Sequence, residues 1–316
     1  MDRRGRQTGR ILFMQRPKME DGTRRLALVV LGMHRSGTSA MAGCLAHLGA
    51  RRPRTEIAPT VNNPRGYCES EPVMVFNDRL LELMGSVWHD WRRLDPGLIS
   101  AATRRDLAKD AAVLLAGEFG DADVIVLKDP RLCRLMPLWE EFLDLAGYEA
   151  RYVLPVRHPL QSALSLRVRN AFSLETGRLL WLRHVLEAER RTRGQRRHIL
   201  AAETLVAAPQ ATLAAIAREL GLAARQADME GVAAFIEPAL FHCAFPAELP
   251  SENRWIAGLS ERVHAVFQAW ETEAAPSLLD AFYAEFDAIT GSVAKPAAGL
   301  FPAIRASAVD GNCAAE

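Results

Sequence analysis

The chain holds only five cysteines in 316 residues: Cys44, Cys68, Cys133, Cys243 and Cys313. They are odd in number and widely spaced, with no Cys-x-x-Cys pair. That excludes a disulfide framework and a cysteine zinc site and leads us to expect a reducing compartment. The eight histidines show no ligand spacing either. His242 and Cys243 are merely chain neighbours, so no metal is expected. Excess charge of one sign is missing too, with 39 Lys+Arg against 38 Asp+Glu. A bulk nucleic-acid binder is therefore excluded, and any anion site must be local. No apolar run reaches the roughly 18–20 residues needed to cross a bilayer. The stretch Ile11 to Met14 is too short for the apolar core of a signal peptide. The expectation is a soluble cytoplasmic protein with no membrane span and no nucleic-acid partner.

What is present is a globular mixture, 49% hydrophobic and 24% charged. It excludes disordered, collagen-like and coiled-coil classes and suffices for a sizeable core. We expect a basic flexible tail over 1–24, one domain over 25–292 and a flexible, unpatterned tail over 293–316. Leu26 to Leu31 is a continuous apolar run, suited to a strand buried on both faces of a parallel sheet. Helical spacing follows at Met41, Leu45 and Leu48, then a long polar loop from Arg51 to Pro72. Helices are expected over 73–84, 101–119, 138–145, 159–170, 179–193 and 209–220. Strands are expected at Val124 to Leu127, Arg151 to Val156 and His198 to Leu200, and the part beyond Gly221 is mostly helical. Strands alternating with helices indicate an α/β fold, three-layered around a mainly parallel sheet, with a helix-rich C-terminal part. Ligands in such sheets sit beyond the carboxyl ends of the strands. Three chemically loaded segments begin there, at Gly32, Lys128 and Arg157.

The first is Gly32-Met33-His34-Arg35-Ser36-Gly37-Thr38-Ser39. A turn of backbone N–H groups opening onto a helix N-terminus cradles anions. Gly32 and Gly37 permit the turn, Ser36, Thr38 and Ser39 add hydroxyls, and Arg35 adds a planar cationic fork suited to phosphate. The glycines have the separation of an ATP-binding GxxxxGK[ST] loop, but Thr38 stands where its lysine belongs.

This loop resembles the 5′-phosphosulfate loop of sulfotransferases that use 3′-phosphoadenosine 5′-phosphosulfate. In that family the 3′-phosphate is held by an Arg at a strand end and a Ser eight residues later. Arg157 and Ser165 have that separation here. Lys128-Asp129-Pro130-Arg131 is similar to the Lys-Asp-Pro segment of bacterial and Golgi-type members. Glu203 to Pro209 is similar to their Tyr-Glu-Asp-Leu-x-x-x-Pro stretch, departing at Ala202 and Thr204. The segments from Asn63 to Glu69 and from Phe172 to Leu182 look like a bacterial branch. The resemblance covers roughly Leu26 to Leu222. It implies a P-loop NTPase-like sulfotransferase fold, 3′-phosphoadenosine 5′-phosphosulfate as donor substrate, no metal, and an acceptor hydroxyl or amine on a carbohydrate or small molecule. It implies donor contacts by Arg35, Ser36, Gly37, Thr38, Ser39, Arg157 and Ser165.

Sulfuryl transfer proceeds in line through a loose transition state, so catalysis amounts to positioning and charge stabilisation. Lys128 is the candidate for the leaving oxygen, helped by Arg35 and Ser36. For the general base, Glu69 comes first and Asp129 second, each with a carboxyl pKa lowered by nearby cations. Either acid reads equally as a helix N-terminal residue. Trp88-His89-Asp90-Trp91 reads as a loop anchor or an acceptor cleft. The Arg-rich segment from Arg183 to His198 reads as a solvated helix face or as an attractant for an anionic acceptor such as an acidic glycan. A P-loop kinase and a non-catalytic nucleotide-binding module are the alternatives. Neither the acceptor's identity nor the oligomeric state is encoded in these motifs.

Overall fold

The computed structural model describes residues 24–61, 63–222, 232, 236, 253–270 and 275–293. The expected tails, apart from Arg24 and Val293, and the His242-Cys243 pair lie outside the described residues. In chain order the elements are β1 (Arg25–Val30), α1 (Thr38–His47), α2 (Glu71–Leu83), α3 (Ala101–Phe119), β2 (Val124–Lys128), α4 (Leu132–Leu145), β3 (Tyr148–Val156) and α5 (Pro159–Asn170). They continue with α6 (Leu174–Arg191), β4 (Arg197–Ala201), α7 (Ala202–Ala207), α8 (Pro209–Leu220), α9 (Arg254–Gln268) and α10 (Ala275–Val293).

The strands form a fully parallel sheet in the order β2-β1-β3-β4. Side chains alternate across it, as the pleat requires. Ala27, Val29, Ile125, Leu127, Tyr152 and Leu154 face one core, packed by α2, α3, α4, α6, α9 and α10. Leu28, Val30, Val126, Val153 and Leu200 face the other, against Met41 and Leu45 of α1 and Leu213 and Ile216 of α8. The architecture is a three-layer α/β sandwich. Because all four strands run the same way, Gly32, Lys128 and Arg157 emerge at the carboxyl end of the sheet.

Several boundaries differ from the sequence reading. Helix α4 starts at Leu132, not Leu138, and carries Pro137 inside. A proline there costs about 3 kcal/mol of helix propensity. Burial of Leu132, Cys133, Leu135 and Met136 outweighs it. Helix α6 starts at Leu174, where the Ser173 hydroxyl accepts from the Thr176 N–H at 3.0 Å. The segment expected as a solvated face is interior over 183–189, while Arg190 and Arg196 are exposed. Arg183 is only 1% exposed and donates to the Trp91 carbonyl at 2.8 Å and to Asp287 at 2.7 Å. Glu187 and Glu189 are buried beside it, so the helix lies in the core with its charges paired.

Candidate functional site

The turn after β1 is built as its glycines require. A Cβ on Gly32 would lie 2.7 Å from the Thr38 methyl and 3.0 Å from the Pro155 carbonyl oxygen. Gly37 caps α1 at φ +80, in the left-handed region that glycine adopts without strain. Arg35 also lies there, at φ +68, a conformation uncommon for a residue with a side chain. Thr38 and Ser39 form the first turn of α1, at the positive end of the helix dipole. Ser36 behaves differently from the expectation. It is fully buried, and its hydroxyl lies 3.3 Å from that of Ser162 on α5. Its side chain ties the turn to α5 beneath the cavity instead of facing it.

Lys128 ends β2 with its ammonium buried. It donates to Ser39 Oγ at 3.2 Å, to the Tyr67 carbonyl at 3.3 Å and to the Glu69 carboxylate. Glu69 is 5% exposed and belongs to the long loop, not to the cap of α2. That cap is Ser70, whose hydroxyl accepts from the Val73 N–H at 3.2 Å. Burial pushes the Glu69 carboxyl above the usual carboxylate range, and the attraction of Lys128 only partly offsets this. The lowered pKa expected from nearby cations is therefore reversed: desolvation is the larger effect. Asp129 serves the start of α4. It accepts from the Arg131 N–H at 2.8 Å and from the Arg131 guanidinium at 3.1 Å. Arg131 reaches on to Asp78 at 2.6 Å.

Arg157 ends β3 beside the first turn. It donates to the Arg35 carbonyl at 2.9 Å and to Gln161 at 3.0 Å. Arg35 in turn donates from Nε to Ser165 Oγ at 2.7 Å. The two expected anion motifs are thus directly bonded to each other. The indole of Trp181 on α6 donates to the Arg157 carbonyl at 2.9 Å and fixes the strand end from behind.

These groups surround a cavity of about 460 Å³. Of the expected residues, Arg35, Gly37, Thr38, Ser39, Glu69, Lys128 and Arg157 line it, whereas Ser36, Asp129 and Ser165 stand behind its wall. The sequence reading gave no role to Arg65, Tyr67, Arg131 and Arg169, which also line it. Arg169 falls four residues after Ser165, on the same helix face, a spacing visible in the sequence. His34 lines the cavity with its ring 4.9 Å from that of Trp88. Burial and the neighbouring Arg169 and Arg131 hold its pKa well below the ordinary histidine value, so the imidazole is neutral at pH 7. The Trp88 segment is a loop anchor: Trp88 packs on Phe172 at 5.7 Å, and Asp90 pairs with Arg92.

The fold also joins histidines that the sequence keeps far apart. His158, Glu261 and His264 place their donor atoms within 4.8 Å of one another. Structural bonds occupy His158 and Glu261. His158 Nδ1 accepts from the Leu160 N–H at the start of α5, its Nε2 lies 3.2 Å from Glu261, and Glu261 also receives Arg178 at 2.7 Å.

No protein-family model and no curated protein matches the chain. Among solved structures it is similar to the sulfotransferase domain of the olefin synthase of Synechococcus PCC 7002. That match has 17% identity and a TM-score of 0.45, over 79% of this chain and 98% of that one. A second is the sulfotransferase domain of the curacin biosynthetic pathway, at 15% identity and TM-score 0.42, over 75% and 98%. Likenesses this distant leave function to be read from the side chains of the site.

Proposed function

We propose that the chain is a sulfotransferase. It moves the sulfuryl group of 3′-phosphoadenosine 5′-phosphosulfate to a hydroxyl or amine on a carbohydrate or small molecule. One observation carries the proposal: Arg157 and Ser165 meet the glycine turn through Arg35, across a cavity from a buried Lys128–Glu69 pair. A nucleotide phosphorylated at both ends of its ribose has a cation-rich seat for each phosphate. The bond that breaks would lie beside the lysine.

The first turn of α1 and Arg35 bind the 5′-phosphosulfate. Arg157 holds the 3′-phosphate, with Ser165 behind it. The acceptor oxygen or nitrogen attacks sulfur. The bond from sulfur to the phosphate oxygen breaks, and its electron pair stays on that oxygen. Lys128, already bonded to Ser39 Oγ at the first turn of α1, stabilises the charge developing there. The acceptor proton passes to Glu69, which its burial makes more basic than a surface carboxylate. Asp129 is committed to Arg131 and takes no part in proton transfer. A kinase of the P-loop type would place a lysine at position 38. Here that residue is Thr38, whose methyl packs against Gly32, 2.7 Å from where a Cβ would lie.

Transfer of radiolabelled sulfuryl from this donor onto a library of alcohols and amines tests the proposal. Label should appear in at least one product and vanish in the Lys128→Ala variant. Donor binding with no transfer to any acceptor would leave a nucleotide-binding module instead.

A further inference from the structure

The proposed reaction assigns no task to Arg169, one of the guanidiniums that line the cavity. Arg169 lies in the last turn of α5 and lines the cavity wall. Its side chain is anchored on one edge: Nε donates to Asn170 Oδ1 at 2.6 Å, and the guanidinium lies 5.8 Å from the Trp88 ring. Trp88 is itself held between His34 and Phe172. The fork is therefore oriented by its surroundings, and its orientation costs a ligand little entropy.

Arg169 has no carboxylate partner among the described residues. The other cations of the wall divide differently. Lys128 pairs with Glu69, and Arg131 with Asp129 and Asp78. Arg35 and Arg157 face the donor, and Arg65 on the long loop is exposed to solvent. Burial and then the like charge of Arg35 make the charged form of Arg169 less favourable, with Arg131 adding to the repulsion and only Tyr67 and Glu69 opposing it. A partly buried guanidinium among other cations calls for an anion. Arg169 lines the same cavity as Arg35 of the glycine turn and Glu69 and feels the charges of both, and an acceptor that loses its proton to Glu69 must enter that cavity.

Resting on the sulfuryl-transfer proposal, we infer that the acceptor carries a carboxylate, gripped by Arg169 while its hydroxyl or amine faces Glu69. Arg169 then sets acceptor specificity and leaves donor affinity unaffected. A planar fork suits a carboxylate in a two-point bond, which a neutral ester does not reproduce.

The experiment has two parts. Calorimetry measures 3′-phosphoadenosine 5′-phosphate binding to the full chain and to Arg169→Gln. Sulfuryl transfer is then measured with a panel of hydroxy and amino acids, each paired with its methyl ester. The expected result is unchanged nucleotide affinity, with the acids favoured over their esters about ten-fold or more in kcat/KM. In Arg169→Gln that ratio falls to about one, and Arg169→Lys restores part of it. Four results would overturn the inference. They are esters matching or exceeding acids, no acid taken by protein that binds the nucleotide, a preference that survives in Arg169→Gln, and loss of nucleotide affinity in that variant, which would assign Arg169 to the donor. Failure of the native chain to bind the nucleotide would instead defeat the sulfuryl-transfer proposal itself.

Discussion

The proposed chemistry turns on Lys128 and Glu69, a buried ion pair whose members come from a strand end and a loop. Both residues stand out in the sequence, but their pairing does not. They lie 59 positions apart, on a strand end and a loop. Their contact also sets the pH behaviour. The base must be ionised to accept a proton, and burial raises its pKa. The rate should therefore rise with pH through a limb above the ordinary carboxylate value of 4.5. A kcat–pH profile on saturating donor checks this, and a limb at or below 4.5 would remove Glu69 as the base. Glu69→Gln should lower kcat by about two or more orders of magnitude while keeping nucleotide affinity. Lys128→Ala should do the same. It should also lose about 3 kcal/mol of stability in urea unfolding, because a buried carboxylate is left without its partner.

Among the elements, the strands and the glycine turn were legible because their signals are local. A continuous apolar run followed by Gly32 and Gly37 has few other interpretations. Helix starts were less so. Pro137 hid the first turns of α4, and the Arg-rich stretch of α6 looked exposed because its acidic partners Asp280 and Asp287 arrive from α10. The orientation of Ser36 was likewise invisible, since its partner Ser162 sits on another element. Helix α5, which carries Ser165 and Arg169, packs closely on α6. A Cβ on Gly177 would meet the Ala163 Cα at 2.7 Å. Gly177→Ala should push these helices apart and cost about 1–3 kcal/mol. A fall of a few degrees in Tm, with weaker nucleotide binding, is the expected outcome. Unchanged values for both would show that α5 can shift freely.

At the scale of the whole molecule, the parallel order β2-β1-β3-β4 gathers three distant segments at the carboxyl ends of the strands. That convergence followed from the alternation of strands and helices alone. The tertiary ties behind it did not. Glu261 of α9 is one of them. Burial opposes its ionisation, but the bonds from His158 and Arg178 outweigh that and hold its pKa down to about 2. The stabilisation is in force above the ordinary carboxylate value and is lost as pH falls from there toward about 2. Acid titration followed by circular dichroism should show the native chain losing stability over that window. Glu261→Gln should be less stable at neutral pH and lose less on acidification, and parallel curves for the two proteins would exclude the tie. Among the described residues, no helix is long and apolar enough to cross a membrane.

The central claim is that one nucleotide bridges the glycine turn and Arg157 with a phosphate at each end of its ribose. Calorimetric titration with 3′-phosphoadenosine 5′-phosphate, 5′-AMP and ATP with Mg²⁺ measures this most directly. The bisphosphate should bind about ten-fold or more tightly than either competitor, and Arg157→Ala should erase its advantage over 5′-AMP. Equal affinity for the bisphosphate and 5′-AMP, or a preference for ATP with Mg²⁺, would contradict it.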